Sequence, residues 1–213
     1  KKIADTSLNW IKKYISDNPK SDMGGYLLNK HIEIFQAVTG VNRVIELLQL
    51  IDSSLINTAA YLSVKEFIEQ YQNRDVGSSL PNYKLVSENG DSILLTSFKN
   101  KITLLDFWAS WCVPCRSAIP KLKNVYAKYK KNGFEIVSIS TDNSKDAWQK
   151  ALIKEKMQWL NLLDNTDKNI RLSNALGIVS LPFYILLNND GKIIFSTDKT
   201  EIMIEHIQLL LGK

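Results

Sequence analysis

Cysteine and histidine are both scarce in this chain of 213 residues, with two of each. Two cysteines cannot build the several-bridge framework of a small secreted scaffold. A structural zinc centre takes four ligands. Beyond the cysteines only His31 and His206 are available, on separate predicted helices, so no metal site is expected. His31 falls on an apolar stripe, the usual setting of a hydrogen-bonded core histidine. Long apolar runs are missing too. No stretch approaches the roughly 18 residues that span a bilayer, and the opening Lys1-Lys2-Ile3-Ala4-Asp5 has no signal-peptide core. Because the sequence does not begin with Met, that carries no information on compartment. Charge of one sign is modest. The net charge is +5; residues 1–76 hold 9 basic and 9 acidic side chains, and 77–213 hold 18 and 13. The densest basic stretch, Lys121 to Lys131, alternates with an apolar stripe on one helix instead of interleaving with aromatics, so nucleic acid is not an expected partner.

What is present is globular material, 45% apolar and 23% charged, enough for a core and too apolar for disorder. At roughly 100–200 residues per domain, the length fits a small domain joined to a standard one. Residues 1–76 read as helices, because apolar positions recur at three- and four-residue steps. One stripe is Leu8, Ile11 and Ile15. A second is Leu27, His31, Ile34, Phe35 and Val38, and a third is Val41, Val44, Ile45, Leu48 and Ile51. The fourth is Val64, Phe67, Ile68 and Tyr71, with Ser63 and Glu66 spaced as a capping box at its start. Asn18-Pro19, Gly24-Gly25 and Gly40 punctuate them. The stretch Asp75 to Pro81 has no strong period and places a domain boundary between 76 and 77.

From 77 onward the pattern changes. Tyr83–Val86 and Ser92–Leu95 flank Asn89-Gly90, a hairpin turn in composition. A strand at Ile102–Phe107, a helix at Val113–Lys131, a strand at Phe134–Ser140 and helices at Ser144–Lys156 and Asn169–Leu176 follow. Phe183–Leu187 and Lys192–Phe195 surround a second hairpin turn. A helix at Glu201–Leu211 closes the chain, with Asp198 and Glu201 spaced as a capping box and Met203, Ile207, Leu210 and Leu211 facing inward. This order implies an α/β domain with a central mixed sheet and helices on both faces.

The cysteines, Cys112 and Cys115, lie where the Ile102–Phe107 strand gives way to a helix, a usual place for a site in α/β folds. Any disulfide within the chain must join these two, and so tight a loop constrains the unfolded chain little; chemistry explains the pair better than stapling. At the first turn of the helix, unpaired amides and the helix dipole favour an anion on Cys112. That interaction is worth ~0.3–2 kcal/mol and holds the thiol below its ordinary value of about 8.5. Cys115, at i+3, lies about 5 Å away, within disulfide range. Pro114 sits in the first turn, where a missing amide proton costs little, and Pro120 is expected to kink the helix. Arg116 either adds positive potential near the sulfur or faces solvent. Trp111 offers either an apolar platform for a bound polypeptide or a packing partner for Trp108. Asp106 interrupts an apolar strand. It is either buried, with its ionisation pushed up by desolvation, or at a solvent-facing strand edge, as most aspartates are.

The run Leu105–Arg116, Leu-Asp-Phe-Trp-Ala-Ser-Trp-Cys-Val-Pro-Cys-Arg, closely resembles the active-site segment of the TlpA/ResA-like thiol-disulfide oxidoreductases. These have the thioredoxin fold and share a broader grouping with the peroxiredoxins. The resemblance covers residues 77–213, with Gly77–Tyr83 as lead-in, Trp148 and Trp159 in later elements, and Leu181-Pro182 before the last hairpin. It implies a thioredoxin-like fold with an N-terminal β-hairpin, preceded by an all-α segment of unknown role. It further implies that Pro182 is a cis-proline facing the cysteines and that the backbone of Leu181 pairs with an extended substrate; a trans proline opening a strand is the alternative. Two places depart from the family: Ala118 stands where many members have Glu, and Phe183-Tyr184 follow the proline where Thr is common.

The activity implied is reduction of disulfides in exported proteins. Cys112 attacks, a mixed disulfide forms at a surface made by Trp111, Pro114, Leu181 and Pro182, and Cys115, deprotonated toward Asp106, releases the product. The Cys112–Cys115 disulfide is the redox group and no other cofactor is expected. Partners would be disulfide-containing proteins and a membrane thiol donor, on the extracytoplasmic or periplasmic side. Direction depends on how stable the Cys112 thiolate is, which Val113-Pro114 alone does not settle. Two alternatives stand beside this: a thiol peroxidase of peroxiredoxin type, and a non-catalytic thioredoxin-like binding module.

Overall fold

The structure, a computed structural model, describes residues 2–39, 41–164 and 171–212. The chain divides into two compact units, Lys1–Gln72 and Asn73–Lys213. That division falls four residues before the boundary read from composition. Asn73 and Arg74 belong to the second unit because the Asn73 side chain donates to the Ala175 carbonyl and Arg74 to that of Gly177.

The first unit contains α1 (Lys2–Asp17), α2 (Met23–Thr39), α3 (Val41–Leu48) and α4 (Ala59–Gln72). Leu8, Ile11 and Ile15 are buried as their spacing requires, with Val41, Val44, Leu48, Ile51, Val64 and Ile68. Burying each such side chain is worth roughly 1.5–3 kcal/mol. The second helix differs from expectation. Its buried positions are Leu28 and Ile32, while Leu27 and His31 are only half-buried; Gly40 and the side chains of Ile34, Phe35 and Val38 lie outside the described residues. Gly24 and Gly25 do not interrupt the chain but sit inside α2. A Cβ on Gly24 would lie 3.0 Å from Ile15 and one on Gly25 3.3 Å from Ala60, so the pair permits close helix packing. The Ser63–Glu66 capping box does not form either, because α4 begins a turn earlier. Thr58 stands before it, and its hydroxyl accepts from the Tyr61 amide at 3.4 Å.

The second unit is a seven-stranded sheet in the order β2-β1-β5-β4-β3-β6-β7. The strands are β1 (Lys84–Ser87), β2 (Ser92–Leu94), β3 (Ile102–Trp108), β4 (Phe134–Ser140), β5 (Leu160–Leu163), β6 (Phe183–Leu187) and β7 (Ile193–Thr197). The helices are α5 (Val113–Tyr129), α6 (Lys145–Glu155), α7 (Leu172–Ala175) and α8 (Thr200–Leu211). The three strands β3, β4 and β5 run parallel, while β1, β6 and β7 pair antiparallel with their neighbours. Crossovers β3-α5-β4 and β4-α6-β5 step the same way across the sheet, and right-handed crossovers so arranged place both helices on one face. There α5, α6 and α8 cover Leu104, Trp108, Ile136, Tyr184 and Leu186. The other face packs Leu105, Phe107, Val137, Ile139, Ile185 and Leu187 under α7 and its neighbours.

The first hairpin turns at Asn89-Gly90, where Gly90 has φ +90. The lead-in segment joins the sheet edge, with the Gly77 amide donating to the Ile193 carbonyl at 2.7 Å and Ile193 donating to that of Ser78. The strand β5 is not expected from the sequence: Leu-Asn-Leu-Leu, at four residues, is too short to establish a period of two. Helix α7 is shorter than expected, and Asn169 and Ile170 lie outside the described residues. The Asp198–Glu201 box does not cap α8; Asp198 pairs with Lys199 and Glu201 with Lys121, and Leu210 is 38% exposed. The helix α5 runs through Pro120 without ending.

Leu105 is fully buried at the centre of β3. Leu105→Ala is expected to lower the unfolding free energy of this unit by about 2–5 kcal/mol, measured by urea unfolding followed by tryptophan fluorescence.

Candidate active site

β3 ends at Trp108, and the chain turns through Ala109–Trp111 before α5 begins. Cys112 is the N-cap of α5, in extended backbone geometry, and its Sγ accepts a hydrogen bond from the Cys115 amide at 3.2 Å. Cys112 is therefore the sulfur that the exposed amides of the first turn support. Pro114 occupies the first turn. The two cysteines form a disulfide, with Cα atoms 5.3 Å apart. Both are buried in the cluster beneath α5, against which Leu181 packs.

The Leu181–Pro182 peptide is cis. The β3–β6 register pairs Phe107 with Phe183, so Pro182 enters β6 at the end of the sheet where β3 hands over to the cysteine turn. Trp111 is 67% exposed and does not pack as a core tryptophan. Pro114 is exposed, and Leu181 and Pro182 are half-buried. Val113 and Val179, the latter 88% exposed, add apolar surface to the flanking segments. Nothing in the sequence marks Val179 as exposed; its place two residues before Leu181-Pro182 is the one signal for it. Arg116 does not apply its charge to open solvent: its Nε donates to Glu155 of α6 at 2.7 Å.

Asp106 is 3% exposed, so the strand-edge alternative is wrong. It lies on the same face as Leu104 and Trp108, the face packed with both cysteines. Register places it beside Ser138 of β4 and Tyr184 of β6, with Asn161 of β5 beyond Ser138. These four make a polar row across an otherwise apolar face. Trp159 Nε1 donates to Ser138 Oγ at 2.8 Å, which commits the hydroxyl proton of Ser138 to Asp106 at 2.7 Å. Burial pushes the Asp106 carboxyl up to about 6, and the Ser138 hydrogen bond opposes that shift. Burial, together with the charge of Asp106, also raises the Tyr184 phenol, whose hydroxyl meets Thr200 at 2.9 Å. Ser138 is missing from the sequence reading, although it interrupts its strand just as Asp106 does. A carboxyl of this kind can change charge near neutral pH, the property a proton acceptor needs.

A second buried carboxylate, Asp142, lies just past the end of β4. Asp142 accepts from the amide and hydroxyl of Ser110 at 2.8 and 2.7 Å, and the Thr141 amide donates to the Trp108 carbonyl.

Residues 100–193 match a family model described as thioredoxin-like. The thiol-disulfide oxidoreductase ResA of Bacillus subtilis is 33% identical over 137 residues, 63% of this chain and 75% of that protein. ResA of Bacillus cereus is 31% identical over 128 residues, 60% of this chain and 72% of that protein. Among solved structures, the thioredoxin domain of a thiol-disulfide oxidoreductase from Bacteroides vulgatus superposes with TM-score 0.60 at 30% identity. It covers 64% of this chain and 98% of its own. A thiol-disulfide oxidoreductase from Bacteroides fragilis superposes with TM-score 0.58 at 34% identity, covering 63% and 100%.

The buried acid has a measurable cost. In the unfolded chain Asp106 ionises near 3.8, in the fold near 6. The unfolded state therefore releases its proton first as pH rises, and the fold loses stability between those values. Asp106→Asn removes the loss. The oxidised variant is expected to be more stable than the parent at pH 7 by on the order of 1–3 kcal/mol, with the difference closing below about pH 4. Ser138→Ala is expected to move the upper limit of this window to higher pH. Urea unfolding across the pH range checks both.

Proposed function

We propose that this chain, which belongs to the thioredoxin-like thiol-disulfide oxidoreductases of the ResA type, works as a reductant of disulfides in exported proteins. Dithiol exchange through Cys112 and Cys115 is its chemistry, and disulfide-containing proteins are the substrates the family implies. The direction is carried by the limited support given to Cys112. A strongly stabilised thiolate favours the reduced protein and makes an oxidant. Here Pro114 removes one first-turn amide, and the nearby cation Arg116 is committed to Glu155. Among the described residues one amide, that of Cys115, reaches Cys112 Sγ and is left to stabilise a thiolate there. A thiolate held no more firmly than this remains a donor of electrons.

The cycle balances with thiols alone. Cys112 thiolate attacks one sulfur of the substrate disulfide, the other sulfur leaves as a thiolate, and a mixed disulfide remains. Cys115 passes its proton toward Asp106 and attacks Cys112; the second substrate sulfur leaves and takes up a proton. Two electrons have moved to the substrate. The Leu181–Pro182 segment ahead of β6, with exposed Trp111 and Pro114, supports docking of an extended peptide as an added strand. No cofactor beyond the Cys112–Cys115 disulfide enters this cycle. The family resemblance supports an extracytoplasmic setting and a membrane thiol donor that returns the pair to the dithiol form. No helix among the described residues is long and apolar enough to cross a membrane. The peroxidase and scaffold readings are not favoured. A peroxidatic cysteine needs no partner one turn away, and a bare scaffold needs neither the bonded pair nor a buried acid behind it.

Equilibration with glutathione or dithiothreitol buffers is expected to give a reduction potential nearer the −270 mV or so of a reducing thioredoxin than the −120 mV or so of an oxidising disulfide donor. A value near the latter reverses the proposed direction. With insulin as substrate, Cys112→Ser is expected to reduce turnover to background. Cys115→Ser is expected to trap the mixed disulfide, visible by mass spectrometry. Unchanged turnover in Cys112→Ser contradicts the cycle.

A further inference from the structure

Two buried carboxylates, Asp142 and Asp164, have no place in the chemistry above. Asp142 is 2% exposed and Asp164 fully buried. Each follows the C-terminal end of a parallel strand, β4 and β5, and each accepts three hydrogen bonds. Asp142 takes the Ser110 amide and hydroxyl at 2.8 and 2.7 Å and the Ser140 hydroxyl at 2.7 Å. Asp164 takes the Leu172 and Ser173 amides at 2.9 Å and the Ser173 hydroxyl at 2.8 Å. The two are linked through one residue, since the Asp164 amide donates to the carbonyl of the same Ser140 whose hydroxyl meets Asp142.

The chain of bonds has two ends. One is Ser110, two residues before Cys112. The other is Ser173 of α7, whose carbonyl accepts from the Ile178 amide at 2.8 Å, four residues before Pro182. A parallel tie runs from Arg171, ahead of α7, to the Thr141 carbonyl at 3.1 Å and the Asn143 side chain at 2.7 Å. A buried carboxylate bonded to amides is costly to disrupt, and charge-assisted bonds are stiff and directional. The Ser110–Asp142 and Arg171–Thr141 contacts join residues 32 and 30 apart in sequence, so they fix loops that local structure leaves free.

We propose that Asp142 and Asp164 are positioning residues, forming a buried strut that sets the spacing between the cysteine turn and the segment leading to Pro182. That spacing is the gap that a polypeptide docked along Leu181-Pro182 spans to reach Cys112, and so the strut tunes recognition of protein disulfides. A small disulfide, which reaches Cys112 without spanning that gap, is insensitive to it. The inference rests on the reading that protein substrates dock across Leu181-Pro182.

The test compares the parent protein with Asp142→Asn on insulin and on 2-hydroxyethyl disulfide, with kcat and KM measured for each. The variant is expected to raise KM for insulin by roughly tenfold to a hundredfold, the range for losing one hydrogen bond to a charged group. It is expected to leave kcat for insulin and both constants for the small disulfide within about twofold, a factor corresponding to under half a kcal/mol. Asp164→Asn, acting from the other end, is expected to give the same split. An unchanged insulin KM, or equal losses on both substrates, overturns the strut. Failure of the parent protein to reduce insulin at all overturns the functional reading instead. If Asp142→Asn does not fold, Ser110→Ala takes its place, since it removes the side-chain bond and keeps the carboxylate.

Discussion

The hydrogen bond from the Cys115 amide to Cys112 Sγ is the contact on which the rest depends. It exists because β3 stops at Trp108, the chain turns once, and α5 begins with Cys112 as its N-cap. An N-cap normally offers an oxygen to the free amides of the first turn. Here a sulfur takes that place, and the stabilisation a helix gives to an anion is delivered to the reacting atom. The same turn of helix sets Cys115 within disulfide range, so the pair is poised both to ionise and to close.

The surroundings set how far that stabilisation goes. Arg116 is bonded to Glu155, Pro114 withholds an amide, and the buried Asp106 carboxyl carries a hydroxyl partner instead of a cation. Asp106 is thus costly to ionise, and stability falls as pH rises from near 3.8 to about 6. The same burial that weakens the fold brings the charge change of this carboxyl toward neutral pH. Trp159 and Ser138 form the rest of that arrangement, because the indole proton forces the serine hydroxyl toward the acid.

The legible parts of the sequence are the local ones. The cysteine pair, its helix and its strand are contiguous, and period and capping chemistry locate them without tertiary information. Asp106 stands out because one acidic residue breaks an apolar run. What sequence does not disclose is register. Nothing in the spacing of Phe134–Ser140 says that Ser138 will lie beside Asp106, or that Asp142 will meet Ser110. Local rules also misled where tertiary contacts override them. Ser63-Glu66 and Asp198-Glu201 have the capping spacing but lie within a helix or are drawn into ion pairs. Gly24-Gly25 reads as a break and instead serves close helix packing. β5 is illegible because four residues are too few to establish a period, and its one polar residue, Asn161, is buried.

The most direct test of the sulfur's electrostatic setting is the pH dependence of alkylation in the reduced protein, with each cysteine followed separately by peptide mass. The amide-supported N-cap predicts that Cys112 reacts with a midpoint below the ordinary thiol value of about 8.5, while Cys115 titrates above it. Equal midpoints at or above that value for both thiols would contradict it.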